Sequence, residues 1–349
     1  MLENLFVAIG DWFNNLGARA GAPYWGDLLE LVWILVAILV FLGLGVAMLV
    51  LLERRVAAFI QVRYGPNRVG PQGILQTIAD MVKLLGKEII IPRAADKVLF
   101  LLAPVLIVVP VVMVFAVVPF GKNMVPIDMN IGLFYFISVA SLTTIILWMG
   151  GWASNNKYSL VGAMRVVSQM VSYEVPLVLS LLGVVMLVGS LKISDIVKAQ
   201  EHMWFVFTQP VAFLIYVVAA CAEVKRVPFD LVEGESEIIA GPYTEYGGMA
   251  YALFMLAEYG ELILISALAT TCFLGGWLAP FGLTFIPSWV WFFLKLNLMI
   301  LFFMWLRWTY PRIRVDQLMH FGWKVLVPLS LANIFITGIG VYVYRALGW

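Results

Sequence analysis

The chain has 349 residues, of which 63% are hydrophobic and 12% charged, and its formal net charge is +1 at pH 7. This composition excludes an ordinary water-soluble domain. The near-zero net charge is uninformative about nucleic acid and no soluble basic domain is left to bind any, so we expect no nucleic-acid partner.

Eight apolar runs of about 20 residues predict membrane-spanning helices. We therefore predict an all-α integral membrane protein with eight transmembrane helices, forming a single polytopic membrane domain over residues 1–349. Residues 1–22 lack the pattern of a signal peptide and predict a short helix on the outer membrane surface. In chain order, the predicted spans are residues 31–52, 98–120, 131–151, 168–189, 204–224, 250–273, 287–308 and 325–344.

The distribution of positive charge predicts the orientation. The connections after the first, third, fifth and seventh spans hold 16 of the 22 lysines and arginines. The positive-inside rule therefore predicts that these connections are cytoplasmic and that both termini lie on the outer side. The predicted cytoplasmic loops are residues 53–97, 152–167, 225–249 and 307–324.

The first of these loops contains a segment with two chemically different faces. Residues 72–87 place apolar side chains at helical spacing, whereas Gln76, Asp80 and Lys83 take the other face. This pattern predicts an amphipathic helix that lies on the membrane surface.

Several charged side chains interrupt or border the apolar runs. Glu174 lies in the fourth span, Glu223 near the end of the fifth, and Glu258 and Glu261 in the sixth. A carboxylate at mid-membrane costs roughly 2.5–3.5 kcal/mol, so it persists only where it faces protein, water or a pathway. Proton handling, or binding of a polar head group, is therefore our first functional hypothesis. Lys295, inside the seventh span, either pairs with an acid or snorkels outward.

The connection after the fifth span is densely acidic. Because carboxylates this close repel one another, we expect some of them to have raised pKa values and to titrate near neutral pH. The alternative is a solvated loop without function. Arg226 precedes the acidic residues, which are Asp230, Glu233, Glu235, Glu237 and Glu245.

The cysteines and histidines do not form a metal-binding pattern. Cys221, Cys272, His202 and His320 are isolated from one another, and none has metal-ligand spacing. No nucleophile and base are paired either. We therefore expect no metal site and no catalytic residue on this chain alone, with any electron carriers on other subunits.

Several long motifs, in order from about residue 30 to the C-terminus, carry a family resemblance. They are 53–55 (ERR), 61–67 (QVRYGPN), 151–155 (GWASN), 172–174 (SYE), 226–237 (RVPFDLVEGESE) and 310–318 (YPRIRVDQL). The chain resembles the quinone-site membrane subunits of proton-pumping NADH:quinone oxidoreductase, respiratory complex I. This family includes the H subunit of the bacterial enzyme and NADH dehydrogenase subunit 1 of mitochondria. Val224-Lys225 stands where many relatives have Thr-Asn, a departure that we expect to leave the site intact.

The resemblance implies a subunit that forms the channel through which quinone enters and the chamber that holds it. It also implies that buried carboxylates couple quinone reduction to proton translocation. By motif match, the chamber residues are Arg54, Arg63, Arg226, Phe229, Asp230 and Arg307. The proton-coupling residues are Glu233, Glu235 and Glu237 in the acidic loop, followed by Glu223, Glu174 and Glu258 in the membrane.

The resemblance also implies an enzyme complex. Quinone is the substrate, this chain binds no cofactor, and partner subunits carry the iron–sulphur clusters, FMN and NADH. The implied partners are other membrane and soluble subunits of complex I, membrane quinone and lipid. The implied location is the bacterial cytoplasmic (inner) membrane, which the chain crosses several times. The alternative is a stand-alone cation/proton secondary transporter, which would usually show inverted repeats that we do not find.

Overall fold

The computed structural model describes Trp12 and residues 23–122, 124–232, 234–280 and 285–346. Every regular element in these ranges is a helix, apart from an isolated bridge between Gly121 and Met124. Apart from Trp12, the surface helix expected within residues 1–22 lies outside the described residues, as does Glu233.

The described helices are numbered here in chain order. A π-helical turn, Gly322–Leu326, joins the last two helices, and 3₁₀ turns lie at Pro71–Gly73 and Gly241–Tyr243. The helices are α1 (Pro23–Ile60), α2 (Gln76–Gly86), α3 (Lys97–Leu106), α4 (Val108–Phe115), α5 (Gly132–Ala140), α6 (Leu142–Ala153), α7 (Lys157–Val188), α8 (Ile193–Lys198), α9 (Phe205–Thr208), α10 (Pro210–Glu223), α11 (Glu235–Ile238), α12 (Gly248–Phe273), α13 (Ser288–Thr309), α14 (Val315–Phe321) and α15 (Val327–Ala346).

Seven helical segments in the described part of the chain are long and apolar enough to cross a membrane. An all-helical integral membrane fold, as the composition predicts, accounts for them. The segments are Leu28–Ile60, Lys97–Phe115, Gly132–Ala153, Lys157–Val188, Gly248–Phe273, Ser288–Thr309 and Val315–Tyr344.

The helix at the predicted fifth span is shorter than the others. α10 has 14 residues, which corresponds to a length of about 21 Å, whereas the hydrocarbon core of a bilayer is about 30 Å thick. Pro210 begins the helix, and Lys225, with a left-handed φ of 57°, follows its end. The described part of the chain therefore has seven full-length segments, and the eighth span stays a prediction.

Two helices extend beyond the predicted spans. α1 continues to Ile60, so residues 53–55 lie in its last turns and not in a loop. α7 begins at Lys157, where the Asn156 side chain caps the helix. The predicted bounds were too narrow because apolar runs indicate what crosses lipid, whereas a helix continues until a residue or a cap ends it.

α7 lies at the centre of the fold, where it packs against α6, α10 and α15. The loop after α10 also lies directly on it. A Cβ atom on Gly162 of α7 would lie 2.6 Å from the Cα atom of Gly241, so only glycine permits this approach. α7 therefore positions both α10 and the acidic connection that follows it.

α2 forms within the segment where the sequence predicts an amphipathic helix. Ile78, Val82 and Leu85 are exposed on it, whereas Thr77 is buried against the protein. Its position at a membrane surface stays a prediction.

Candidate functional site

One buried carboxylate lies between two arginines. Glu53, at the end of α1, is 4% exposed, and Arg226, after α10, is 2% exposed. Arg226 Nη1 lies 3.1 Å from Glu53 Oε2. Arg307, at the end of α13, donates to Glu53 Oε1. A buried charge is tolerated when it is paired in this way.

Arg226 also faces α12. Its Nε lies 3.8 Å from Glu258 Oε1, and its guanidinium carbon lies 4.8 Å from the centre of the Tyr259 ring. We call Glu53, Arg226, Glu258, Tyr259 and Arg307 the arginine cluster. Two cations and two carboxylates from four separate segments thus meet inside the protein.

A second buried ion pair lies next to this cluster. Lys225 Nζ donates to Glu261 Oε2 at 2.9 Å, and their side chains are 3% and 11% exposed. Lys225 also interacts electrostatically with Glu223 and Glu258. The cation that follows α10 is therefore shared among three carboxylates.

The carboxylates inside the helices, of which Glu261 is buried and the others half-buried, lie near one another. Glu223 interacts electrostatically with both Glu174 and Glu261. Within the described residues, Glu223 Oε2 and Glu261 Oε1 are buried without a hydrogen-bond partner. Such oxygens require water or a proton. We call Glu174, Glu223, Glu258 and Glu261 the carboxylate series.

In the acidic connection, Glu237 is bound by arginines. Arg165 of α7 donates to Glu237, and Arg312 Nη2 lies 4.0 Å from the same carboxylate. The hydrogen bond from Arg165 lowers the pKa of the Glu237 carboxyl below its usual range. Glu237 is therefore not one of the acids with a raised pKa, because two cations outweigh repulsion between acids. The side chain of Glu235 and all of Glu233 lie outside the described residues.

Of the other predicted chamber residues, Phe229 adjoins the arginine cluster through its backbone, since Phe229 N donates to Arg226 O at 2.8 Å. Phe229 is 5% exposed. Its ring packs against that of Tyr173, with 5.4 Å between the two ring centres. Asp230 is half-buried. Arg54 bonds Asp80 of α2 at 2.6 Å, so it ties α2 to α1.

Arg63 is exposed and bonds Gln61 at 2.7 Å. Of the six predicted chamber residues, Arg226 and Arg307 both make direct contacts to the Glu53 carboxylate.

The site residues assigned from the sequence leave out three members of these two groups, Glu53, Tyr259 and Glu261, and also the neighbouring Lys225. Glu53 carries a signal, because it is an acid that follows a long apolar run and precedes two arginines. Tyr259 carries none. Glu261 is visible as a neighbour of Glu258, but the motifs do not assign it to the site. The sequence analysis expects Lys225 to leave the site unchanged, whereas in the structure it bonds Glu261 and interacts electrostatically with Glu223 and Glu258.

An apolar groove of about 290 Å³ runs between α1, α12 and α13. Arg55, two residues beyond Glu53, lines it together with apolar side chains. An apolar groove with a polar end is the kind of site that holds a long apolar ligand with a polar head. Its apolar lining includes Phe41, Leu49, Ile263, Phe293 and Ile300.

Cys221 and Cys272 are both buried and unbonded to each other. In the ranges that the structure describes, no three His, Cys, Asp or Glu side chains are grouped so that they could hold a metal ion.

Comparison with known proteins assigns the family. Residues 33–338 match the sequence model of the NADH dehydrogenase family. The chain is 56% identical over 350 residues to the H subunit of NADH-quinone oxidoreductase from Carboxydothermus hydrogenoformans, with 100% of both chains covered.

Two further relatives carry the same name. The one from a Geobacillus species is 50% identical over 329 residues, which cover 91% of this chain and 96% of the relative. The one from Bacillus cytotoxicus is 52% identical over 309 residues, which cover 88% and 92%. These matches confirm the resemblance seen in the motifs, and the chain therefore belongs to the NADH dehydrogenase family, among relatives named as the H subunit of NADH-quinone oxidoreductase.

Proposed function

We propose that this chain is the membrane subunit of respiratory NADH:quinone oxidoreductase that forms the channel and chamber for quinone. We further propose that its buried carboxylates couple quinone reduction to proton translocation. The observation that carries the proposal is the arginine cluster beside the carboxylate series, because it joins fixed positive charge to groups that can hold protons.

The apolar groove supports the path by which quinone enters. It lies between α1, α12 and α13 and reaches Arg55 at the end of α1. The exposed apolar side chains on α2, which Arg54 ties to α1 through Asp80, would border its opening. A quinone tail is apolar, so this groove suits it, whereas the head group would advance toward the charged end.

The arginine cluster supports a chamber for the head group. Reduction of quinone to quinol takes up two electrons and two protons, and partner subunits would deliver the electrons from NADH through FMN and iron–sulphur clusters. Positive charge near the head group stabilises the negative charge that develops before protonation. The proposed chamber residues are Arg54, Arg63, Arg226, Phe229, Asp230 and Arg307.

The carboxylates support a route by which a change of charge in the chamber would be passed on to the acids inside the membrane. Glu237 is held by Arg165 and Arg312, so a change of charge in the chamber can release or tighten the acidic connection. Glu223 then links this connection to Glu174 and to α12. The proposed coupling residues are Glu174, Glu223, Glu233, Glu235, Glu237 and Glu258.

We also propose the arrangement in the membrane. The loops at residues 53–97, 152–167, 225–249 and 307–324 would face the cytoplasm, with both termini outside, in the bacterial inner membrane. The acidic connection would then face the soluble subunits that carry the redox groups. Other membrane subunits and lipid would cover the apolar surface.

The test replaces Glu223 by glutamine in the assembled complex. Glutamine keeps the size of the side chain but cannot take up a proton, so we expect both quinone reduction and proton pumping to fall severely. The rate of NADH–ferricyanide reduction and the amount of assembled complex should persist. Glu201→Gln is the matched control, since Glu201 is an exposed carboxylate.

Glu235→Gln tests the acidic connection in the same assays. If either glutamine variant keeps both quinone reduction and pumping at the wild-type rate, the coupling role assigned to that carboxylate is wrong. A stand-alone transporter would instead stay active when purified by itself in mild detergent, without iron–sulphur partners.

A further inference from the structure

The Glu261 carboxylate is buried, and its two oxygens have different surroundings. The residue is 9% exposed. Oε2 accepts a hydrogen bond from Lys225 Nζ at 2.9 Å, whereas Oε1 is buried without a hydrogen-bond partner in the described part of the chain. A buried oxygen of this kind needs a water molecule or a proton. The family motifs give Glu261 no role, so its carboxylate requires an explanation of its own.

Glu261 has an acid on either side of it. On α12 it follows Glu258 by three residues, so the two side chains share a face of the helix, with about 5–6 Å between their Cβ atoms. Toward α10 it interacts electrostatically with Glu223. Glu258 belongs to the arginine cluster, whereas Glu223 also interacts with Glu174 of α7. Glu261 is therefore placed to connect Glu258 with Glu223.

Lys225 is a counter-ion that these acids share. Its side chain is 3% exposed. Besides its hydrogen bond to Glu261, its ammonium group interacts electrostatically with Glu223 and Glu258. A lysine carries its charge on a flexible four-carbon chain, so the ammonium can change its partner without a movement of the backbone. The negative charge of Glu261 is tolerated inside the protein because this cation accompanies it.

We propose that Glu261 is a proton-carrying residue of the coupling route, between Glu258 and Glu223, and that Lys225 is its mobile counter-ion. The inference deepens the proposed function and rests on it, because only a chain that moves protons needs a carrier here. It adds to the route two residues that the family motifs do not assign to it.

Each step of this route conserves charge. A proton leaves the Glu258 carboxyl group, where its O–H bond breaks, and forms a new O–H bond at Glu261 Oε1, directly or through one water molecule. Glu258 is then negative and Glu261 neutral, so the Lys225 ammonium is attracted toward Glu258. When the proton passes on to Glu223, Glu261 regains its negative charge and the ammonium returns to it. No step leaves an additional unpaired charge in the interior, where such a charge is costly.

The test replaces Glu261 by glutamine in the assembled complex, reconstituted in liposomes. Glutamine has nearly the same size but cannot carry the proton. Proton pumping during NADH oxidation is followed with an internal pH dye, together with quinone reduction. A positioned proton-transfer group contributes on the order of 100-fold to a rate, so we expect pumping, and the quinone reduction coupled to it, to fall by about that factor. The NADH–ferricyanide rate and the amount of assembled complex should persist.

The double variant Lys225→Met/Glu261→Gln separates proton transfer from structural support. It lacks both charges, so no unpaired charge stays buried, but it also has no carrier. We expect it to pump as poorly as Glu261→Gln. Glu261→Asp keeps a carboxylate and should pump faster than both. Glu201→Gln, at an exposed carboxylate, is the control and should pump at the wild-type rate.

The proposal is overturned if Glu261→Gln or the double variant pumps at the wild-type rate, or if Glu261→Asp pumps no better than Glu261→Gln. It is also overturned if none of these three variants assembles, which would assign the pair to folding. Glu223→Gln in the same assay distinguishes this failure from that of the proposed function. If Glu223→Gln loses pumping whereas Glu261→Gln keeps it, the route bypasses Glu261. If both keep it, the proposed coupling function fails as well.

Discussion

Replacing Lys225 by methionine should destabilise the protein, because the Glu261 carboxylate then stays buried without its nearest cation. The two groups lie 2.9 Å apart, and their side chains are 3% and 11% exposed. At an effective dielectric constant of about 20, their Coulomb attraction is about 6 kcal/mol before desolvation is counted. Removing one partner of a buried pair costs about 3–5 kcal/mol, much of it from the charge left behind.

The double variant Lys225→Met/Glu261→Gln should be more stable than Lys225→Met alone. Both charges are then absent, and replacing a buried pair by neutral groups costs little, about 1 kcal/mol or less. Glu261→Gln alone should cost less than Lys225→Met, because Lys225 keeps the field of Glu223 and Glu258. The four proteins form a double-mutant cycle with a coupling energy of about 2–4 kcal/mol.

The assay is unfolding of the purified chain in mild detergent with increasing SDS, which gives the free energy of unfolding for each variant. Lys83→Met is the control, since Lys83 is exposed and lies 3.8 Å from Asp80. An exposed pair of this kind contributes about 0.5 kcal/mol or less. The electrostatic reasoning is refuted if Lys225→Met is as mild as the control, or if the double variant costs the sum of the two single changes.

Three further predictions concern separate parts of the site. Glu53→Gln should abolish most quinone reduction and cost about 3–5 kcal/mol, since two arginines lose their shared carboxylate; a normal reduction rate in the assembled complex would contradict this. Gly162→Ala should destabilise the chain by about 1–3 kcal/mol, because its Cβ would overlap a neighbouring backbone. Gly43→Ala, with open space around it, should be near neutral in the same SDS titration. The pKa of Glu237 is lowered by its bond from Arg165, so the stabilising effect of this pair is complete above the unfolded pKa and is lost as pH falls through the folded pKa. We expect the amide protection factors around Glu237, which are corrected for the intrinsic exchange rate at each pH, to fall at acid pH in the wild type and not in Arg165→Gln; equal pH profiles of protection in the two proteins would argue against it.

Local composition was sufficient to predict the positions of most membrane-spanning segments, the two faces of α2 and the acids that need a special environment. The free energy of transferring a segment into lipid depends on the residues of that segment and not on its tertiary contacts. The positions of seven spans could therefore be predicted directly from the sequence. The face pattern of α2 also follows from spacing alone. Glu174, Glu223 and Glu258 could be selected as candidate functional residues from the sequence, because a carboxylate within an apolar run has a free-energy cost in a membrane whatever the run packs against.

The pairing of charges was decided by the tertiary structure. Glu53 and Arg307 are 254 residues apart. No local sequence pattern indicates that Arg307 donates a hydrogen bond to Glu53. Arg54 and Arg63 carry the same charge as Arg226, yet one bonds Asp80 and the other Gln61. Their motif membership was visible in the sequence, but their distances from the buried site were not.

The sequence alone thus determined the class of protein, the approximate positions of seven membrane-spanning segments and the set of acids that are costly inside a membrane. Only the folded chain decided which cation meets which acid, because that depends on packing between α1, α10, α12 and α13. It also decided that Lys225 and Lys295, alike in sequence as lysines near apolar runs, have different surroundings. One lies among carboxylates and the other among backbone carbonyls, and the difference arises from contacts that are remote along the chain.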